Sequence, residues 1–250
     1  MTPGQTTLLA GAGFLGGAIN AVAGGGSLVS FPALLAVGLP SVTANVTNTV
    51  ALWPGYVGGA LPYRDELRTQ RSRVVALALT SLAGAALGAV LLLTTPASLF
   101  TLLVPYLVLA ACALLAVQPW VAARVAARPG QSQGSQAPLH LGVLASSVYG
   151  AYFGAGLGVM LLAVLGIFLP EDLARLNGLK NALSLSINTL ALLAFVLFGP
   201  VRWAAVLVMA VASLLGGVAG ARVAKRLSSR VLRLVVIVFG VLVAVKLLLS

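Results

Sequence analysis

Lys180 lies eight residues beyond Asp172, inside an apolar stretch that begins near Leu173. The positions three and four residues away on its helix face hold Leu176, Asn177, Leu183 and Ser184, so no neighbouring acid compensates it. At 1.5 Å per residue the lysine sits roughly 12 Å along the stretch. Two roles fit such a cation: it snorkels to lipid headgroups, or it attracts an anion where water enters. Asn177 and Asn181 frame it in N-G-L-K-N, and Ser184 and Asn188 continue its face. A similar motif, N-V-T-N-T, occurs 132 positions earlier, with Asn45 and Asn48 in the places of Asn177 and Lys180. Polar residues three or four apart share one face of a helix.

Two glycine clusters precede these motifs. Gly24, Gly25 and Gly26 run into Ser27 and a new apolar stretch; Gly154, Gly156 and Gly158 do the same in the second half. One reading is close helix packing through small residues. The other is a helix break whose unsatisfied N–H groups and dipole attract an anion, with the Ser27 hydroxyl as a further donor. Gly84/Gly88 and Gly216/Gly220, four apart, read as packing surfaces. Asn20, one turn before the first cluster, is placed to line a cavity, and Pro54 after Trp53 kinks its helix.

Other chemistry is excluded by what is missing. The four acids, Asp65, Glu66, Glu171 and Asp172, stand at the edges of apolar stretches, where they make no mid-membrane proton relay or sodium site. No His, Cys and acid cluster has metal-ligand spacing; the lone His140 opens a segment and Cys112 has no disulfide partner. GGGSL at 24–28 is not a nucleophile elbow. The expectation is a non-enzyme without cofactor or metal.

The elements that hold these residues belong to a membrane protein. Of 250 residues 60% are hydrophobic and 8% charged, mean hydropathy is +1.08, and no charged side chain or histidine precedes Arg64. A soluble domain carries roughly 25% charged residues. The net charge of +11 lies in short loops between apolar runs, which fits topology and anionic lipid contact and not nucleic acid. The N-terminus lacks the basic region of a cleavable signal.

Apolar runs cover about 6–23, 27–39, 43–62, 74–94 and 98–120, then 140–154, 157–169, 173–198, 203–221 and 231–249. The spacing predicts an all-α polytopic membrane fold of two repeats with about five segments each: 1–123, a cytoplasmic linker 124–138, and 139–250. The second run of each half, about 13 residues, is shorter than the roughly 20 a span needs, so each half opens with a short, broken or re-entrant pair. Shifting the chain by 132 aligns Ala23, Gly24 and Gly26 with Ala155, Gly156 and Gly158, and Ser81, Gly84 and Gly88 with Ser213, Gly216 and Gly220. The basic clusters occupy non-equivalent loops: Arg64, Arg68, Arg71 and Arg73 in one half, Arg222, Lys225, Arg226, Arg230 and Arg233 in the other. If both face the cytoplasm, as Arg124 and Arg128 in the linker also would, the repeats are inverted and both termini are periplasmic.

The block GGAINAVAGGGSLVSFPALLAVGLPSVTANVTNTVALWPGYVGGALPYR at 16–64 resembles the first repeat of the sulfite exporter TauE/SafE family, also called the toluene sulfonate uptake permease family. FGAGLGVMLLAVLGIFLP, ARLNGLKNALS and the late GxxxG resemble its second repeat. The likeness implies a bacterial-type inner-membrane transporter, expected to export sulfur-containing anions such as sulfite, sulfonates or sulfoacetate. It places Gly24, Gly25, Gly26, Asn45, Asn48, Lys180 and Asn181 in the pore region. GAGLG departs from the unbroken triplet of the first half. The expected partners are a small anion and membrane lipids, with a homodimer left open. Transport of an amino acid or metal ion, and a non-transporting assembly role, stand as alternatives.

Overall fold

The structure, a computed structural model, describes residues 1–22, 24–126, 136–223 and 229–249. Its elements are α1 (Pro3–Val22), α2 (Ser27–Ala36), α3 (Ser41–Ala60), a 3₁₀ turn, α4 (Arg64–Arg68), α5 (Arg71–Thr94) and α6 (Ala97–Ala126). The second half holds α7 (Gln136–Tyr152), α8 (Leu157–Phe168), α9 (Leu173–Phe198), α10 (Trp203–Val223) and α11 (Ser229–Leu249). The described residues form no strand. This is an all-α polytopic membrane protein. Each expected apolar run is a helix, and the ends follow local chemistry. Gly38 leaves α2 with φ +89°; Asp172 caps α9 by accepting from Arg175 N–H at 2.9 Å.

By length and composition α5, α6, α9 and α10 are apolar enough to cross a membrane. Their outer faces carry large exposed apolar side chains, among them Leu79, Leu102, Leu197 and Leu207. In water such a surface would aggregate; in lipid it is the solvated face. α2 has 10 residues and α8 has 12, or roughly 15 and 18 Å, too short for a hydrocarbon core of about 30 Å. Each packs back along the helix before it, α1 or α7. α6 continues to Ala126 and α7 opens at Gln136, so the expected linker is helical at both ends; 127–135, with Arg128, lie outside the described residues, as do Ala23, Lys225 and Arg226.

The packing of one half is repeated by the other. α1 lies on α10 and α7 on α5; α3 touches α10 and α9 touches α5; α3 meets α9, and α6 meets α11. The glycine pairs make these contacts close. A Cβ on Gly220 would sit 2.6 Å from the Ala18 carbonyl oxygen, and one on Gly84 equally near that of Leu144. Small residues thus let helix backbones touch where lipid gives no hydrophobic drive for association. Ser213 Oγ adds a bond across α10 and α3, donating to Ala51 O at 2.8 Å. Its counterpart Ser81 is buried without a partner among the described residues.

Three hydrogen bonds fix the relative direction of α3 and α9. Asn181 Nδ2 donates to Gly59 O (3.3 Å), Trp53 Nε1 to Thr189 Oγ1 (2.8 Å), and Arg202 N–H, beyond the end of α9, to Thr47 Oγ1 (3.0 Å). Positions rise along one helix as they fall along the other, so α3 and α9 run antiparallel.

Candidate functional site

The two helix breaks meet tip to tip. α1 ends when Gly24, at φ +80°, donates its N–H to Ile19 O; α7 ends when Gly154, at φ +82°, donates to Tyr149 O. These left-handed closures suit glycine, which has no Cβ to clash. The second break holds another left-handed residue, Gly156 at φ +81°, so GAGLG follows a longer path than the first triplet. Where the breaks touch, a Cβ on Gly158 would lie 2.7 Å from Gly24 Cα. Phe31 of α2 and Phe153 of the second break stack edge to face beside them at 5.5 Å.

The first break satisfies much of its own polar backbone. Asn20 Oδ1 accepts the Gly26 N–H at 2.7 Å, and Ser30 Oγ donates to Gly26 O at 3.2 Å. Gly25 packs against Leu115, and Ser27 is buried at the start of α2. Position 152, equivalent to Asn20, holds Tyr152, whose ring packs on Phe100. Among the described residues the Gly158 N–H has no partner like Asn20. Tyr149 Oη instead donates to Ala155 O at 2.7 Å, fixing the backbone just before α8.

Lys180 approaches this uncapped break. A Cβ on Gly158 would be 3.5 Å from Lys180 Cδ, so the missing side chain leaves the space the lysine stem fills. Lys180 is only 2% exposed and, among the described residues, makes no ion pair or hydrogen bond. The nearest acids in sequence are engaged elsewhere. Glu171 binds Arg73 at 2.6 Å and Arg175 at 3.0 Å, and Asp172 pairs with Arg175 at 3.7 Å. Burial raises the Glu171 pKa, but the hydrogen bonds and charges of the two arginines outweigh it and hold the carboxyl below its ordinary range.

Asn45 reaches across the halves: its Nδ2 donates to Tyr152 O, at the end of α7, at 2.9 Å. Among the described residues its Oδ1, Asn48 Oδ1 and Asn20 Nδ2 are buried without partners. An unmet buried polar atom costs about 1–3 kcal/mol, so such groups call for a ligand or ordered water. The N-V-T-N-T and N-G-L-K-N motifs do not face each other across α3 and α9. Because these helices are antiparallel, Asn48 and Lys180, each in the second turn of its helix, lie toward opposite ends of the pair. Asn181 joins α9 to α3, whereas Asn177 is half-exposed and bonds Leu173 O of its own helix at 2.9 Å. Gly24, Gly158 and Lys180 therefore come together; Gly26, Ser27 and Asn20 adjoin them on the first break, with Gly156 on the second. Asn45 meets the end of α7. Sequence reasoning missed Tyr149 and Phe153, whose contacts at the break leave no periodic signal.

No solved structure matches the chain. A "Probable membrane transporter protein" of Haemophilus influenzae is 27% identical over 94% of this chain and 91% of its own length. "Probable membrane transporter protein ORF9" of a Sinorhizobium species is 25% identical over 95% of this chain and 90% of its own length. A "Probable membrane transporter protein" of Escherichia coli K12 is also 25% identical, over 94% and 86% respectively. The family model described as sulfite exporter TauE/SafE matches residues 9–247. With breaks, repeat register and match running through nearly the whole length, the chain belongs to the TauE/SafE sulfite exporter family, a family of membrane transporters.

Proposed function

We propose that the protein moves small sulfur-containing anions, such as sulfite, sulfonates or sulfoacetate, across a bacterial inner membrane, and that it exports them. The observation that carries this reading is Lys180, buried against the uncapped glycine break with no counter-charge among the described residues. A lone cation at depth is costly; an anion from either side offsets that cost, and the Gly158 amide at the start of α8 gives it a donor. The first break adjoins this site through Gly24, and Asn45 of α3 reaches the end of α7.

Alternating access follows from the two halves rocking about the glycine contact. The antiparallel course of α3 and α9, equivalent segments in the 132-residue register, supports inverted repeats, a cytoplasmic linker and periplasmic termini. The Arg73–Glu171 pair is consistent with this topology, since it joins loops the positive-inside rule assigns to one side. A membrane potential of about 100 mV, negative inside, supplies roughly 2.3 kcal/mol per charge to a departing anion, so a monoanion needs no coupling ion.

The test is flux from proteoliposomes loaded with sulfite or a sulfonate. Lys180→Ala lowers anion efflux at least about tenfold, the ~1.4 kcal/mol expected for one charge-assisted contact, while Lys180→Arg retains part of it. Unchanged flux in a folded Lys180→Ala protein refutes the reading.

A further inference from the structure

At one end of α5 and α7, where the two halves meet, a cleft of about 240 Å³ is lined by Ser72, Arg73, Ala76, Leu77, Gln136 and His140. It lies away from the glycine breaks that hold the proposed anion site. Its polar groups are held in place. Arg73 Nη1 donates to Glu171 Oε1 and, at 3.3 Å, to Gln70 Oε1, leaving Nε and Nη2 for a further acceptor. His140 Nδ1 is 2.6 Å from Thr80 Oγ1, which leaves Nε2 for a ligand. Ser72 and Gln136 are exposed at the rim.

The flank of the cleft is apolar. Ser72, Val75, Ala76 and Leu79 fall on one helix face, and Val75, Leu79 and, on α7, Leu141 are 52%, 64% and 64% exposed. Arg71, next in sequence to Ser72 at the start of α5, is exposed. A fixed guanidinium, an imidazole and a hydroxyl above a lipid-facing apolar stripe match an amphiphile with a phosphate head and acyl chains. Arginine's fork suits phosphate oxygens, and basic clefts between membrane helices hold anionic headgroups.

We propose that this cleft is a binding site for one anionic phospholipid, with its phosphate on Arg73, His140 and Ser72 and its chains along Val75, Leu79 and Leu141. The lipid would join the two halves at α5 and α7. The experiment is native mass spectrometry of the full chain in detergent, with phosphatidylglycerol or phosphatidylcholine of matched chains added.

The wild type retains phosphatidylglycerol about fivefold better than phosphatidylcholine, on the order of one basic contact near a membrane surface. Arg73→Gln removes that preference. His140→Ala with Ser72→Leu, which leaves the Arg73–Glu171 pair intact, weakens it without relying on a variant that disturbs the loops. Arg64→Gln, the same loss of charge outside the cleft, leaves it unchanged. Equal retention of the two lipids, an equal effect of Arg64→Gln, or displacement of phosphatidylglycerol by millimolar inorganic phosphate would each overturn the proposal, the last by showing a site for a free anion.

Discussion

Replacing Gly158 by alanine tests the contact on which the site is built. The new methyl would stand 2.7 Å from Gly24 Cα and 3.5 Å from Lys180 Cδ. Regaining ordinary carbon contact requires the breaks to part by about 1 Å. Overpacking of this kind costs about 1–3 kcal/mol. Gly24→Ala meets the same obstacle from the other side, with its Cβ 2.5 Å from Gly158 Cα, and must also hold φ near +80°. The left-handed conformation adds roughly 1–2 kcal/mol for a residue with a Cβ. Gly11→Ala, with nothing within 4 Å, is neutral or gains up to about 1 kcal/mol from lower chain entropy. The assay is thermal unfolding of the purified variants in one detergent, where about 1 kcal/mol moves the midpoint by roughly 2–4 °C at this size. The expected order of stability is Gly11→Ala, then Gly158→Ala, then Gly24→Ala. A Gly158→Ala protein as stable as Gly11→Ala would refute the tip-to-tip contact.

The two equivalent serines should respond in opposite directions. Ser213→Ala loses a bond to Ala51 O and destabilises by about 1 kcal/mol, whereas Ser81→Ala removes an unpartnered buried hydroxyl and is neutral or stabilising; a shared sign in the same unfolding assay would contradict the hydrogen bonding described. Glu171 predicts an acid-sensitive loop. Its folded pKa is depressed, so the Arg73 and Arg175 pairing contributes in full above the ordinary carboxylate value of 4.5 and is lost as pH falls through the lower folded value. Glu171→Gln should lower the midpoint at pH 7 and cancel that part of the decline toward pH 3; an unaltered pH profile would count against the pairing.

The segments were legible because apolar runs and their breaks are local properties. Runs at 27–39 and 157–169 became α2 and α8 within a few residues, and the 132-residue register led to both glycine breaks. Gly84, Gly88, Gly216 and Gly220 proved to be packing surfaces, as their spacing suggested. Relations between distant positions were harder to read. The antiparallel course of α3 and α9 depends on Trp53 finding Thr189 and Asn181 finding Gly59, and no spacing within either motif encodes those partners. The 132-residue register makes Asn48 and Lys180 equivalent, yet antiparallel helices send equivalent residues to opposite ends. The short helix α4 was hidden in a charged loop, since five residues carry too little periodicity to stand out.

Asn20 and Tyr152 occupy the same register but treat their glycine tips differently. One tip is closed by the Asn20 side-chain amide, while the other has no such partner among the described residues. On the transport reading proposed above, the protein holds a single anion seat instead of a matched pair, and one anion is carried per cycle.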